Sequence, residues 1–137
     1  MNYLLDTNIL SEPVRSTPNP HVLRRLQEAG GTLAMAATTW HELMYGVIRL
    51  PDSQRRAALE QYLFEVVQRQ VPILPYDAEA AAWFAFERAR LSEAGLAPPY
   101  ADGQIAAVAA TNDLILVTRN VADFERYSSL KIENWFA

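Results

Sequence analysis

Met1-Asn2-Tyr3-Leu4-Leu5-Asp6-Thr7-Asn8 is an apolar run that breaks abruptly into a carboxylate, a hydroxyl and an amide. A short apolar run ahead of a turn signal predicts a buried strand. In the middle of a parallel sheet such a strand is covered on both faces. Asp6 then emerges at its carboxyl end, where open α/β sheets place their ligand crevice. The same residues admit a second reading, in which Asp6 or Asn8 caps the following turn through its side chain.

Working outward, Ile9 to Pro13 predicts a short helix that Pro13 limits. Asn19-Pro20 forms an N-cap with proline at the first helical position, followed by Val22, Leu23 and Leu26 at helical spacing and a Gly30-Gly31 stop. Thr32 to Ala37 reads as a strand. Thr38-Thr39 opens a helix with Leu43, Met44, Val47 and Ile48 on one face, ended by Leu50-Pro51-Asp52. From Ser53, the positions Leu59, Tyr62, Leu63, Val66 and Val67 describe an amphipathic helix. Val71 to Tyr76 reads as a short strand whose prolines point to a sheet edge or strand ends.

Asp77 then caps a long helix running through Trp83, Phe84, Phe86 and Leu91 towards Gly95, with the aromatic residues expected in the core or at a dimer contact. The loop Gly95 to Tyr100 delivers Asp102 to the start of an alanine-rich helix from about Ala101 to Thr111. Leu114 to Thr118 is a second fully apolar strand, Arg119 to Phe124 a loop with a single helical turn, and Leu130 to Ile132 a last short strand. Strand and helix alternate throughout. The expected class is α/β, one domain over residues 1–137 with a parallel sheet, helices on both sides and right-handed crossovers.

The chain of 137 residues carries 12 basic and 16 acidic side chains, a net charge of −4 that opposes strong sequence-independent binding to a polyanion. Acids gathered in one pocket would change that balance, because bound divalent cations reverse the local field. The absence of cysteine excludes disulfides and thiolate metal sites. No segment approaches the roughly 18 consecutive apolar residues of a spanning helix, so no membrane role is expected. Met1 leads into the first strand without a basic leader, and the cytoplasm is the expected compartment. His41 lacks a second histidine at H-E-x-x-H spacing. The glycine motifs of dinucleotide, nucleotide-loop and serine-hydrolase sites are missing too.

Four acids fall at comparable places: Asp6 after the first strand, Glu42 and Asp102 in first turns of helices, and Asp123 after a late strand. All four can face one end of the sheet. Clustered carboxylates repel one another unless protons, basic partners or metal ions compensate, and an oxygen-rich cluster suits Mg²⁺ or Mn²⁺. Each acid also has a local reading. Thr39-Trp40-His41-Glu42 satisfies the S/T-x-x-E capping box, Asp102 suits a helix N-terminus, and Asp123 suits the cap of the turn containing Phe124. Arg15, Arg49 and Arg119 are candidate phosphate contacts or ordinary solvated side chains.

Four stretches together resemble a known family: YLLDTNIL at the start, TWHELMYG around Glu42, YADGQIAAVA around Asp102, and ILVTRNVADFERYSSLKIENW at the end. They are similar, in order and over nearly the whole chain, to the PIN-domain ribonucleases, and more narrowly to VapC toxins of type II toxin-antitoxin systems. LDTNILSEPVR also resembles the FitB branch, whereas NVADFERYSSLKIENW is closer to VapC enzymes that cut initiator tRNA.

The resemblance implies a PIN-like three-layer α/β/α fold with a central parallel sheet. It implies Mg²⁺-dependent endonucleolytic hydrolysis of RNA, with Mn²⁺ as substitute, by an acidic quartet of Asp6, Glu42, Asp102 and Asp123 acting as catalytic residues and metal ligands. Thr118 matches the hydroxyl that supports the site, and Asn8 and Asn120 match polar residues that orient the acids. The implied partners are a VapB-like antitoxin, a second copy in a homodimer, a higher toxin-antitoxin assembly, and operator DNA only through the antitoxin. A FitB-like alternative is a subunit of a DNA-binding regulatory complex with little or no nuclease activity.

Overall fold

The computed structural model describes residues 1–137. Tyr3–Leu5 forms β1, and it lies at the centre of a five-stranded sheet. The other strands are β2 (Leu33–Ala36), β3 (Ile73–Leu74), β4 (Ile115–Val117) and β5 (Ile132–Glu133), in the order β3-β2-β1-β4-β5. Every pairing is parallel, with Tyr3 opposite Leu33 on one side and Leu4 opposite Leu116 on the other. The Pro-flanked strand falls at a sheet edge, where a missing backbone donor costs nothing.

Alternation along the strands divides the apolar side chains between two cores. Leu4, Ala34, Ala36 and Leu116 join the core built with α6 (Ala78–Glu93) and α7 (Tyr100–Thr111). Leu5, Leu33, Met35 and Val117 join the opposite core, built with α1 (Thr7–Ser11), α2 (Pro20–Glu28) and α3 (Ala37–Ile48). Helices therefore cover both faces of the sheet, giving the three-layer α/β/α arrangement. No helix is long and apolar enough to cross a membrane.

Helix ends follow the polar signals at several points. The Asn19 side chain accepts from the His21 and Val22 amides, Ser53 accepts from Arg56, and Asp77 accepts from Ala80. The α6–α7 contact depends on Gly103, where a Cβ atom would overlap the buried Phe84 ring.

Three expectations are corrected. The helix expected to open at Thr38-Thr39 begins at Ala37, with Ala36 as an N-cap that offers no side-chain bond. Thr39 is thus already inside the helix, fully buried with its hydroxyl unpartnered, and the Thr39–Glu42 capping box does not form. Glu42 lies beyond the first turn in which it was expected.

The helix starting after Ser53 is not uniformly α. It runs as α4 (Gln54–Gln61), a π segment (Tyr62–Val67) and α5 (Gln68–Gln70). The wider turn rotates the apolar stripe, keeping Leu63 and Val67 buried while Val66 is 40% exposed. Tyr62 in that turn donates a 2.6 Å hydrogen bond to the Leu10 carbonyl. Finally, Phe86 is 83% exposed, because it faces away from the α6 surface that carries Phe84 and Leu91 inwards, so of the two places expected for it, core or dimer contact, the core is ruled out.

Candidate active site

Because β1 and β4 are adjacent and parallel, their carboxyl ends present Asp6 and Thr118 side by side. Asp6 is buried, 7% exposed, and its oxygens are spoken for. Oδ1 accepts from the Thr7 amide at 2.8 Å, so the capping reading of Asp6 holds together with its placement at the site. Oδ2 accepts from Thr118 Oγ1 at 2.8 Å and from Asn8 Nδ2 at 3.4 Å. Thr118 Oγ1 in turn accepts from the Asn120 amide at 3.1 Å, and Asn8 Oδ1 accepts from the Arg119 amide at 3.1 Å. Asn8 and Thr118 therefore both link Asp6 to the loop after β4, whereas Asn120 reaches Asp6 only through its backbone.

The four acids come together electrostatically. Desolvation pushes the Asp6 pKa up, opposed by its hydrogen bonds to Thr118, Thr7 and Asn8, and the Asp123 charge adds to the rise. Glu42 is pushed up first by desolvation, then by the charges of Asp6 and Asp102. Asp102 is pushed up by desolvation and then by Asp123 and Asp6. Every pair except Glu42–Asp123 is thus close enough to interact. Asp102 occupies the first turn of α7, as expected, while Asp123 closes an exposed 3₁₀ turn over Val121–Asp123.

The donor set of carboxylates and hydroxyls, with no thiolate, suits a hard divalent cation. Thr7 Oγ1 adds to it: this buried hydroxyl completes no hydrogen bond of ordinary geometry, yet lies near enough to Glu42 to draw its pKa down. The four carboxylates stand apart as they are, and no three His, Asp or Glu side chains converge into a closed metal cage.

Some contributors carry no signal that a sequence motif would flag. Thr38 Oγ1 donates to Gln104 Oε1 at 2.8 Å, joining the helix that carries Glu42 to the helix that carries Asp102. The Tyr127 hydroxyl is buried and unpartnered, and burial together with the charges of Asp102 and Glu87 raises its pKa to about 12. A groove of about 910 Å³ is lined by Thr7 and Glu42 together with Arg15, Arg55 and Tyr62. Arg49 does not line it; its guanidinium sits 5.9 Å from the Tyr45 ring centroid.

Comparison with known proteins agrees with this architecture. The family profile described as PIN domain matches residues 3–130. Ribonuclease VapC2 of Haemophilus influenzae is 34% identical over 136 residues, 98% of each chain. The tRNA(fMet)-specific endonuclease VapC of Shigella flexneri is 31% identical over 135 residues, again 98% of each. Among solved structures, that of FitAB bound to an IR36 DNA fragment superposes with a TM-score of 0.91 at 29% identity, covering 98% of this chain and 96% of that one. With its parallel sheet, Asp6 at the carboxyl end of the central strand and these near-full-length relatives, the chain belongs to the PIN-domain family, alongside the VapC ribonucleases and FitB.

Proposed function

We propose that this protein is the toxin of a toxin-antitoxin pair and acts as a Mg²⁺-dependent RNA endonuclease. The observation that carries the reading is the buried Asp6 carboxylate held by Thr118 where β1 and β4 end side by side, with Glu42 and Asp102 near enough that its charge helps push their pKa values up. Gathering desolvation and like charge at one place is how functional centres shift the pKa values of their acids. Asp6, Glu42, Asp102 and Asp123 would hold the ion, Mn²⁺ serving as substitute, and it would supply water activation and neutralise charge on the scissile phosphate.

The chain's own residues do the rest. Thr118, Thr7 and Asn8 hold the Asp6 carboxylate in one orientation, so its acceptor geometry is preset before substrate arrives. Asp102 and Asp123 form no side-chain hydrogen bonds, which leaves their oxygens free to orient a water or accept its proton. Glu42, exposed at the mouth of the groove, faces the strand that enters along the arginine-bearing walls.

The Shigella flexneri relative supports initiator tRNA as the first substrate to try. An antitoxin partner follows from the relatives solved as VapBC and FitAB complexes, and Arg-rich antitoxin segments would be drawn to the same acids. The experiment is cleavage of total cellular RNA by antitoxin-free protein and by Asp102→Asn, with and without Mg²⁺, followed by sequencing of the new ends. Metal-dependent cuts that the variant loses support the reading; no cuts by folded wild-type protein overturn it.

A second reading is favoured by the likeness to DNA-bound FitAB: a regulatory subunit that raises its antitoxin's affinity for operator DNA, with little nuclease activity. Its mark would be stronger operator binding by the complex in the absence of RNA cleavage.

A further inference from the structure

Glu12 stands outside the acidic centre and has no catalytic assignment. It is only 2% exposed, on the 3₁₀ turn that follows α1. One carboxylate oxygen accepts from the Asn19 amide at 2.8 Å, and the other accepts from Arg15 Nη1 at 3.0 Å. Its pKa is held down, first by the Asn19 amide and then, against desolvation, by Arg15 and Arg119. A buried carboxylate is therefore kept ionised by the Asn19 amide and the Arg15 guanidinium that it contacts.

Arg15 is arranged unlike an ordinary surface arginine. It is 58% exposed, and Glu12 takes only one of its nitrogens. The Nε–Nη2 edge, the fork that matches a phosphate in bidentate fashion, makes no hydrogen bond within the chain. Arg15 also lines the groove that contains Thr7 and Glu42, as do Ser11, Ser16 and Arg55. A buried anion thus holds one side of a guanidinium whose residue lines the same groove as Glu42.

We infer that Glu12 is a positioning residue that holds Arg15 as a phosphate contact for an RNA strand lying along the groove, one or more nucleotides from the scissile bond. This rests on the ribonuclease reading above. Free arginine side chains near an anion site add affinity by charge alone. A pinned one also sets the register of the strand against Asp6 and Asp102, because less side-chain freedom is lost on contact. The bland alternative, that Glu12 serves only to tie the Asn19 loop, would be satisfied equally by glutamine.

The test measures binding of a short single-stranded oligoribonucleotide to antitoxin-free protein in EDTA over a salt titration, and cleavage of the same RNA with Mg²⁺. Variants are Arg15→Gln, Arg15→Lys and Glu12→Gln, with melting curves as the fold control. Arg15→Gln is expected to weaken binding about 3- to 10-fold and to flatten the log K against log salt slope by about 0.7, the loss of one single-strand phosphate contact. Arg15→Lys should keep the slope and recover part of the affinity.

Glu12→Gln gives the discriminating sign. It removes a negative charge, so simple electrostatics predicts tighter RNA binding. Positioning predicts weaker binding with the slope unchanged and a raised KM, in protein that melts normally. Equal or tighter binding by Glu12→Gln, or an unaltered slope for Arg15→Gln, overturns the inference while leaving the ribonuclease reading standing. Loss of antitoxin affinity but not of RNA affinity in Arg15→Gln overturns it in favour of a protein contact. Wild-type protein that neither binds nor cleaves RNA sinks both.

Discussion

Thr118 Oγ1 donates a 2.8 Å hydrogen bond to Asp6 Oδ2 between residues 112 positions apart in sequence. The bond is buried, and it joins the carboxyl ends of two adjacent parallel strands. It does two things at once: it orients the carboxylate at the head of the site, and it opposes the desolvation that raises the Asp6 pKa.

Thr118→Val keeps the side chain's volume and removes the hydroxyl. The Asp6 carboxylate and the Asn120 amide each lose a partner, a cost of about 1–2 kcal/mol in stability. The Asp6 pKa should climb further, since a group favouring its ionised form is gone. RNA cleavage should fall, and the acid limb of its pH profile should move to higher pH. An unchanged profile in folded variant protein would sever the link between Thr118 and Asp6.

Asp102→Asn should separate function from stability. The Asp102 pKa is raised above 3.8 by desolvation and by Asp123 and Asp6. Stability from such a group is fully present below 3.8 and is lost as pH rises through the raised folded value. Neutralising it should therefore increase the melting temperature of metal-free protein at neutral pH. Cleavage should drop by at least about 100-fold. Thermal melts across pH for the variant and wild type, in EDTA, give the comparison.

Glu87 carries the opposite sign. It is 5% exposed and accepts from both the Ser128 amide and hydroxyl and from two nitrogens of Arg90. These contacts, led by Arg90, hold its pKa at about 2 instead of 4.5. Its contribution is present above 4.5 and is lost as pH falls towards about 2. Glu87→Gln should cost about 1–2 kcal/mol at neutral pH and flatten the acid limb of the unfolding profile. Urea titrations at several pH values measure both.

Gly103→Ala tests the approach of α6 to α7. The added methyl would overlap the Phe84 ring, which is 2% exposed and has little room to turn. Destabilisation of about 1–3 kcal/mol is expected from overpacking. Because Gly103 follows Asp102 directly, a shift of α7 should also reduce cleavage. The double variant Gly103→Ala, Phe84→Leu should recover part of the stability.

The sequence by itself determined the class of fold and the neighbourhood of the chemistry. The run ending at Asp6, the run ending at Thr118 and the alternation between them required parallel strands, because apolar runs of that length are buried on both faces only when helices cover the sheet. Caps at Asn19 and Asp77 were legible because a polar side chain satisfies amides of its own helix, a contact within three residues.

Tertiary structure decided what depends on partners distant in sequence. Thr39-Trp40-His41-Glu42 matched a local capping box, yet β2 runs directly into α3 and starts the helix two residues before Thr39, leaving Glu42 free to face Asp6 and Asp102. The π turn at Tyr62–Val67, which periodicity could not anticipate, brings Tyr62 to the Leu10 carbonyl. Glu12 reads as one charged residue before a proline, and only the folded chain shows it buried, with Asn19 and Arg15 bonded to its two oxygens. Local pattern specifies which backbone groups need satisfying. Which carboxylates end up buried, paired or mutually repelling is set by the packing of strands and helices that meet only in the folded chain.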